Sequence, residues 1–550
     1  MYDAQKIGTD MMNARSHLDW TQRVVAQGLS ALKARCSTGG KLSADQLDLH
    51  QQATYDLALS AAEMGCAEAY LASTAGASPL TETMASTFAA QMIQSTLNRL
   101  SSAPQELGLD RRAITPSEDL HSFLEQALSA AHLGEIGAAL SQSNPQDNRG
   151  LPEAQQLMAD TFSQFADTVV APLAESIHRE DQIIPDAILE GLKALGCFGL
   201  SVPEQYGGLL PDDREDTLGM IVVTEELSRV SLGGAGSLIT RPEILSRALI
   251  EGGTEDQKAH WLPGIAAGDT LCAVAITEPD YGSDVASTRL KATMTEDGWL
   301  LDGAKTWSTF AGKANVLLTL ARTNPDLSLG HKGLSLFLVE KPSTDEESFT
   351  VEQSGGGKLT GQSISTVGYR GMHSYQLFFD QFLVPHSHVI GESQGLGRGF
   401  YFTMRGFTGG RIQTAARACG LMQGAFEHAV RYSRDRKVFG KAIGDYQLSQ
   451  VKIAKMAMAI AGGQQFTYQV GRLMDEGRGQ MEASLVKLIT CKSAEWVTRE
   501  AMQLHGGMGY AEETAVSRYW LDARVLSIFE GTEETLALKV VGRALIEQAA

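Results

Sequence analysis

Between residues 271 and 390 the hydrophobic pattern of this chain changes its period. On either side, apolar residues recur at helical spacing. Inside, they form short strand-like runs: Cys272–Ile276, Trp299–Leu301, Val316–Ala321, Leu334–Val339 and Gln376–Phe382. Glu296-Asp297-Gly298 adds a hairpin turn signal. A block of strands set between helical blocks is not the alternating βαβ order of a doubly wound sheet. It predicts an α+β fold, mostly α, with one compact β domain. Gly395-Leu-Gly-Arg-Gly399 lacks both the full spacing of a dinucleotide loop and a surrounding βαβ unit, so it is discounted.

The helical blocks read in turn. Met11, Leu18, Val25, Leu29 and Leu32 share one face. Tyr55, Leu59, Ala62 and Cys66 share a second, and Met84, Phe88 and Met92 a third. Ser78-Pro79 and Ser102-Ala103-Pro104 punctuate them. One more helix is expected over about Asp119–Ser141, and the polar run Ser141–Gly150 reads as a linker. Met158, Phe162, Phe165 and Val169 then resume the helical period, as do Leu189, Leu192 and Leu195. After about residue 397 two long helices are expected, Gln447–Arg472 and Met481–Gln503. The expected domains are a helical extension (1–150), a helical domain (151–270), a β domain (271–390) and a C-terminal helical bundle (391–550). The extension carries no chemical cluster and reads as a bundle or an oligomer-contact domain.

Charge and cysteine usage bound the function. Lys plus Arg number 46 against 65 Asp plus Glu, a net charge of -19 with no long basic run. Nucleic-acid binding by counterion release is therefore not expected. Cys36, Cys66, Cys197, Cys272, Cys419 and Cys491 form no C-x-x-C pair and no zinc spacing with His. No metal site is expected, and the thiols read as reduced and buried, as in the cytoplasm. No apolar run has the length of a membrane span. The N-terminus shows neither a signal-peptide core nor an acid-free arginine run.

Three segments concentrate chemistry. In the first, Thr277, Ser283 and Thr309 offer hydroxyls beside turns, and Trp307 offers a flat face. Such groups hold and cover a polar heterocycle, and equally they serve as turn chemistry around a core Trp. In the second, Arg434-Asp-Arg-Lys-Val-Phe-Gly440 and Gln503-Leu-His-Gly-Gly-Met-Gly509 bring Arg436 and several glycines. These suit a phosphate, or a basic helix end with its cap. His505 has no Ser or Cys motif beside it and reads as a structural hydrogen-bonding His. The third is Ile528-Phe-Glu-Gly-Thr-Glu-Glu534. There Glu530, next to an aromatic, is either a general base or a solvated acid before a helix.

Taken together the segments resemble one family. Ile276-Thr-Glu-Pro, Gly282-Ser-Asp, Lys305-Thr-Trp, Asp435-Arg-Lys-Val-Phe-Gly, Gln503-Leu-His-Gly-Gly-Met-Gly and Phe529-Glu-Gly-Thr stand in the order of the flavin-dependent acyl-CoA dehydrogenases. Val202-Pro-Glu-Gln-Tyr-Gly-Gly208 adds a further match, and the resemblance covers about 151–550. It implies a helical domain, a β-barrel-like domain and a C-terminal four-helix bundle, with FAD between domains and across a subunit boundary. By motif position, it implies that Thr277, Ser283, Trp307 and Thr309 contact the flavin, ribityl or pyrophosphate groups. Arg436, Phe439, Gln503 and Gly507 are implied for the FAD of a neighbouring subunit, and Thr532 for the adenosine half. Glu530 is implied as the catalytic base, with the backbone of Glu530–Gly531 at the thioester.

The same resemblance implies an acyl-CoA substrate, α-proton removal with β-hydride loss to the flavin, and an electron-transferring flavoprotein as acceptor. Arg411, after Gly409-Gly410, matches an arginine that shapes the site. Thr408 departs from the acid or amide of several relatives, which puts the usual pantetheine contact in doubt. The acidity, length and N-terminal extension resemble the branch of the family acting on (2S)-methylsuccinyl-CoA, a short branched dicarboxylic thioester. Its far carboxylate requires a buried partner. Arg241, with Thr240 beside it, is the expected partner and Arg405 the reserve. The alternatives are a short branched monocarboxylic substrate of the isovaleryl-CoA or 2-methylbutyryl-CoA type, an oxidase of the same fold, and a non-catalytic helical scaffold. An extension that covers the surface of a second pairing implies a homodimer.

Overall fold

A computed structural model describes residues 4–112, 114–142 and 149–550. Two compact units divide the chain, one of residues 1–157 with 414–550, the other of residues 158–413. The family of folds is α+β and mostly helical.

In the first unit the extension contributes the long helices Ala4–Cys36, Gln51–Ala72 and Pro79–Ser102. The last starts where the sequence places a stop signal. Ser78 caps it by accepting from the Thr81 N–H, and Pro79 sits at the first turn, where no donor is missed. Gln51–Ala72 packs on both Gln447–Asp475 and Gln480–Leu504 of the C-terminal part, Pro79–Ser102 packs on the first of these, and Ala4–Cys36 packs on the other two extension helices. Glycines permit the approach. A Cβ on Gly65 would meet the Phe466 ring at 2.9 Å, and one on Gly137 would overlap the Gln450 carbonyl oxygen at 2.0 Å.

The single helix expected over Asp119–Ser141 is two, Glu118–Ala127 and Ala130–Gln142. Ser129 breaks it: its hydroxyl accepts from the His132 N–H, which caps the second helix and ends the first. Of the expected linker, residues 143–148 lie outside the described residues.

In the second unit a helical layer, including Thr217–Val230, Thr240–Gly252 and Glu255–Ala266, accompanies an eight-stranded sheet. The five expected strands are present as Cys272–Ala275, Trp299–Thr309, Val316–Arg322, Leu334–Glu340 and Ser374–Val384. Lys291–Met294 pairs antiparallel with Trp299–Thr309 across the expected turn at 296–298. Two further strands, Ser348–Glu352 and Lys358–Ile364, extend the sheet beyond Ser374–Val384. The pairing of Trp299–Thr309 with Ser374–Val384 is interrupted by two register shifts, which bend these long strands. The strand Val316–Arg322 is buried on both faces.

Candidate active site

Candidate functional residues occur in both units, and each group is described within its own unit. In the first unit the Ala515–Leu526 helix ends ahead of Phe529-Glu530-Gly531-Thr532. Thr532 then caps the next turn by accepting from the Thr535 N–H. Between them Glu530 and Gly531 both take left-handed backbone, φ 57° and 93°. For glutamate that conformation costs about 1–2 kcal/mol. Strain of this kind is held where the surrounding structure fixes it, characteristically at functional sites.

What fixes it is Arg417. Its Nη2 donates to Glu530 Oε1 at 3.0 Å and to Thr414 Oγ1 at 2.8 Å, and its guanidinium stacks 4.9 Å from the centre of the Phe529 ring. The arginine side chain is fully buried and the Glu530 side chain 11% exposed. Glu530 Oε2 is buried and accepts no hydrogen bond. The Glu530 backbone N–H donates to no acceptor among the described residues. Lys487, also buried, donates to the Gly531 carbonyl at 2.8 Å. The loop therefore presents one carboxylate oxygen and one amide N–H, both uncommitted, from a braced backbone.

Arg417 was not among the residues singled out from the sequence. Its signal is a lone charge inside the small apolar run Ala415-Ala416-Arg417-Ala418 of the Gly399–Asp435 helix.

Elsewhere in this unit Phe439-Gly440 forms the two-residue turn of a hairpin between Lys437–Val438 and Lys441–Ala442. Both turn residues have positive φ, 49° and 89°. Asn or Asp is the ordinary first residue of such a turn. Here it is a phenylalanine, 98% exposed, so the fold holds a large apolar ring in solvent against its backbone preference. Arg436, Gln503 and Gly507 are exposed, and a Cβ on Gly507 would meet nothing within 4 Å. His505 is buried, donates from Nδ1 to the Ala501 carbonyl at 2.8 Å and stacks on Tyr432. Its burial lowers its affinity for a proton, in keeping with a structural role.

In the second unit a backbone hydrogen bond ties the Thr277 turn to the strand that carries Trp307 and Thr309. The Thr306 N–H donates to the Thr277 carbonyl at 2.8 Å, which brings Thr277 alongside Trp307. Lys305, fully buried, ties the same turn down by donating to the Ile276 carbonyl and to Glu278 Oε1. Glu278 also accepts from the N–H groups of Arg289 and Leu290. Burial pulls the Lys305 ammonium down to about 8, with Glu278 opposing the shift. Trp307 takes left-handed backbone, φ 56°, and stands 56% exposed. Ser283 is exposed, while Thr309 shares a hydrogen bond with Ser374 at 2.9 Å. A flat exposed ring, with the half-buried Thr309 two residues along the same strand and the Thr277 turn tied to that strand, fits a flavin and its ribityl chain.

Arg241 is 7% exposed. Its Nη1 donates to the Ser237 carbonyl at 3.0 Å and to the Tyr369 hydroxyl at 3.2 Å. Among the described residues no carboxylate pairs with it. Glu243 is engaged by Arg247 at 2.8 Å and by Gln413, and Glu251 lies 3.8 Å from the exposed Arg405. Thr240 is fully buried and donates to Gln413 Oε1 at 2.8 Å, so it belongs to this polar network. Gly409 lets the Gly399–Asp435 helix approach Glu243, where a Cβ would stand 2.6 Å from the carboxylate, and Arg411 beside it is half-buried. Tyr369, the neutral partner of Arg241, also has positive φ, 58°.

Known proteins are similar to this chain in sequence and fold. Models of the N-terminal, middle and C-terminal domains of acyl-CoA dehydrogenase match residues 152–269, 273–382 and 397–546. The (2S)-methylsuccinyl-CoA dehydrogenase of Cereibacter sphaeroides is 41% identical over 400 residues, 72% of this chain and 70% of that protein. The mitochondrial short-chain specific acyl-CoA dehydrogenase of Bos taurus is 31% identical over 396 residues, 72% of this chain and 91% of that protein. A glutaryl-CoA dehydrogenase from Mycobacterium smegmatis, solved in complex with FADH2, superposes with a TM-score of 0.64 at 27% identity, covering 74% of this chain and 97% of that one.

Proposed function

The chain belongs to the acyl-CoA dehydrogenase family, and on that premise we propose that it converts (2S)-methylsuccinyl-CoA to mesaconyl-CoA. Its cofactor is FAD, for which Trp307, Thr277, Ser283 and Thr309 are the proposed contacts at the flavin, ribityl and pyrophosphate groups, while Arg436, Phe439, Gln503 and Gly507 are proposed to contact the FAD of a neighbouring subunit and Thr532 to lie near the adenosine half. When bound, FAD supplies the acceptor for the β-hydride, a role no side chain fills.

The protein's own residues handle the α-proton. Glu530 takes it at Oε2, the oxygen with no other partner, while Arg417 keeps Oε1 and so fixes the carboxylate plane. As the α C–H bond breaks, charge moves to the thioester oxygen. The free N–H of Glu530 is a donor for it, and removing one such donor typically costs about 3 kcal/mol in the barrier. Arg411 shapes the site without reacting. Loss of the proton and of the hydride leaves the α,β double bond.

The observation that carries the substrate reading is the buried Arg241 with only neutral acceptors around it. A substrate carboxylate supplies the missing anion, and Tyr369 supplies a hydroxyl beside it. A monocarboxylic branched thioester leaves that cation unanswered. We read the electron acceptor as an electron-transferring flavoprotein. We read the assembly as a homodimer, because the extension covers the bundle helices Gln447–Asp475 and Gln480–Leu504. The six cysteines are free and buried, in keeping with a cytoplasmic setting, and no described helix is long and apolar enough to cross a membrane.

The test is anaerobic flavin bleaching with single thioesters. Rapid bleaching by (2S)-methylsuccinyl-CoA, with little from butyryl-CoA or isovaleryl-CoA, is the expected result. Bleaching by the monocarboxylic esters alone would keep the dehydrogenase and remove the substrate. A sedimentation mass of four chains would remove the dimer.

A further inference from the structure

We propose that Tyr55, from the N-terminal extension, is a positioning residue for the catalytic loop, acting through Glu533 and Lys492. The inference rests on Glu530 being the base. Residues 1–151 lie outside all three matching family models, so the extension is an addition to the shared architecture. Within its own unit it reaches the loop that carries Glu530.

The contact is a closed triangle. The Tyr55 hydroxyl donates to Glu533 Oε1. Lys492 Nζ donates to that same oxygen at 2.8 Å and to the Tyr55 hydroxyl at 3.1 Å. All three groups are partly buried, so water competes poorly for them. Glu533 begins the short helical turn capped by Thr532, three residues after Glu530, and its N–H donates to the Ser527 carbonyl at 3.0 Å. Lys487, on the same helix as Lys492, holds the Gly531 carbonyl. The left-handed pair Glu530-Gly531 is thus gripped from both sides. Lys487 and Arg417 grip from the bundle, and the Tyr55 triangle grips from the extension.

Neighbouring contacts extend the grip along the chain's last helical turns. Asp48 pairs with Lys539 at 2.6 Å, Lys33 donates to the Ala549 carbonyl, and a Cβ on Gly542 would overlap the Thr54 side chain at 2.3 Å. The extension therefore packs on the segment that follows the catalytic loop as well as on the bundle. A strained loop keeps its geometry only while its flanks are held, and a small displacement of a catalytic group carries a large cost in rate.

The experiment uses the full-length holoenzyme with Tyr55→Phe, which keeps the ring and removes the hydroxyl, and with Glu533→Gln. Two readouts are taken: steady-state kinetics on the best thioester, and backbone hydrogen exchange of residues 527–535 against the core strand Val316–Arg322. We expect each variant to lower kcat roughly tenfold with KM and flavin content unchanged. Exchange should quicken in 527–535 only, and the double variant should be no worse than either single one. Wild-type kcat with wild-type loop exchange would overturn the proposal. So would a fall in kcat accompanied by faster exchange in Val316–Arg322, which is global destabilisation. A wild-type protein that turns over no acyl-CoA would count against Glu530 as base alone, and the exchange of the loop would still decide whether Tyr55 positions it.

Discussion

Arg417 Nη2 stands 3.0 Å from Glu530 Oε1, and the other oxygen of that carboxylate is left without a partner. One oxygen is thereby anchored, and on the proposed function the other is the oxygen that takes the α-proton. Glu530→Gln preserves the shape and an acceptor for Arg417 but removes the proton-accepting oxygen. Substrate-driven flavin bleaching should slow by about 10²–10⁴-fold, the usual contribution of a general base. Flavin content should stay at the wild-type level. A variant that bleaches at the wild-type rate would show that the proton leaves to another group.

The same pair sets a stability relationship. Removing one member of a buried ion pair leaves the other without compensation, at a cost of about 3 kcal/mol. Arg417→Leu should therefore lower the denaturant midpoint clearly in the wild-type background. In a Glu530→Leu background the same change should cost much less, because no buried carboxylate is stranded. Additive losses in the double-variant cycle would mean that the two side chains do not couple.

How legible this was from the sequence depended on the kind of signal. Strands with apolar runs, such as Val316–Arg322, announced themselves. Lys291–Met294 and Ser348–Glu352 did not, because they expose most or every other residue and carry no apolar run. The break at Ser129 was hidden because a serine inside a helical period reads as tolerated until its cap is seen. The Glu530 loop stands in a recognisable motif, which made it a candidate from the sequence. Arg417 and Tyr369 were not, since each matters through a partner more than a hundred residues away in sequence. The same holds for Tyr55, where the extension showed only helical periodicity.

On the proposed function, Arg241 is the residue that substrate choice tests. With its charge removed in Arg241→Leu, a dicarboxylic thioester must bury its far carboxylate without a cation. kcat/KM for (2S)-methylsuccinyl-CoA should fall by about 10²–10³-fold, equivalent to roughly 3–4 kcal/mol. Activity on butyryl-CoA should hold or rise. Tyr369→Phe should show the same selectivity more weakly, since it removes one neutral hydroxyl. Equal kinetics for wild type and Arg241→Leu on the dicarboxylic substrate would sink the assignment.

Phe439 separates stability from function. Its left-handed turn position favours Asn. Phe439→Asn should raise the protein's stability by about 0.5–1 kcal/mol, as relief of backbone strain does at such sites. If the exposed ring serves FAD, the same variant should lose flavin faster on dilution or gel filtration. Stabilisation with undiminished flavin retention would leave the ring without a cofactor role.

Lys305 gives the chain a signature at alkaline pH. Its ammonium is fully buried, and burial draws its pKa from the ordinary 10.5 down to about 8 despite Glu278. The folded protein therefore releases this proton at lower pH than the unfolded chain does. Between about pH 8 and 10.5 the unfolded state binds more protons at this position, so stability contributed here rises with pH across that window. Below pH 8 both states are protonated and the contribution is flat at its least favourable level. Urea midpoints of wild type and Lys305→Met, followed from pH 7 to 10.5, should converge or cross in the wild type's favour as pH increases. A constant difference over that range would mean that the Lys305–Glu278 pair keeps its proton, and that the charge behind the Thr277–Trp307 platform is permanent.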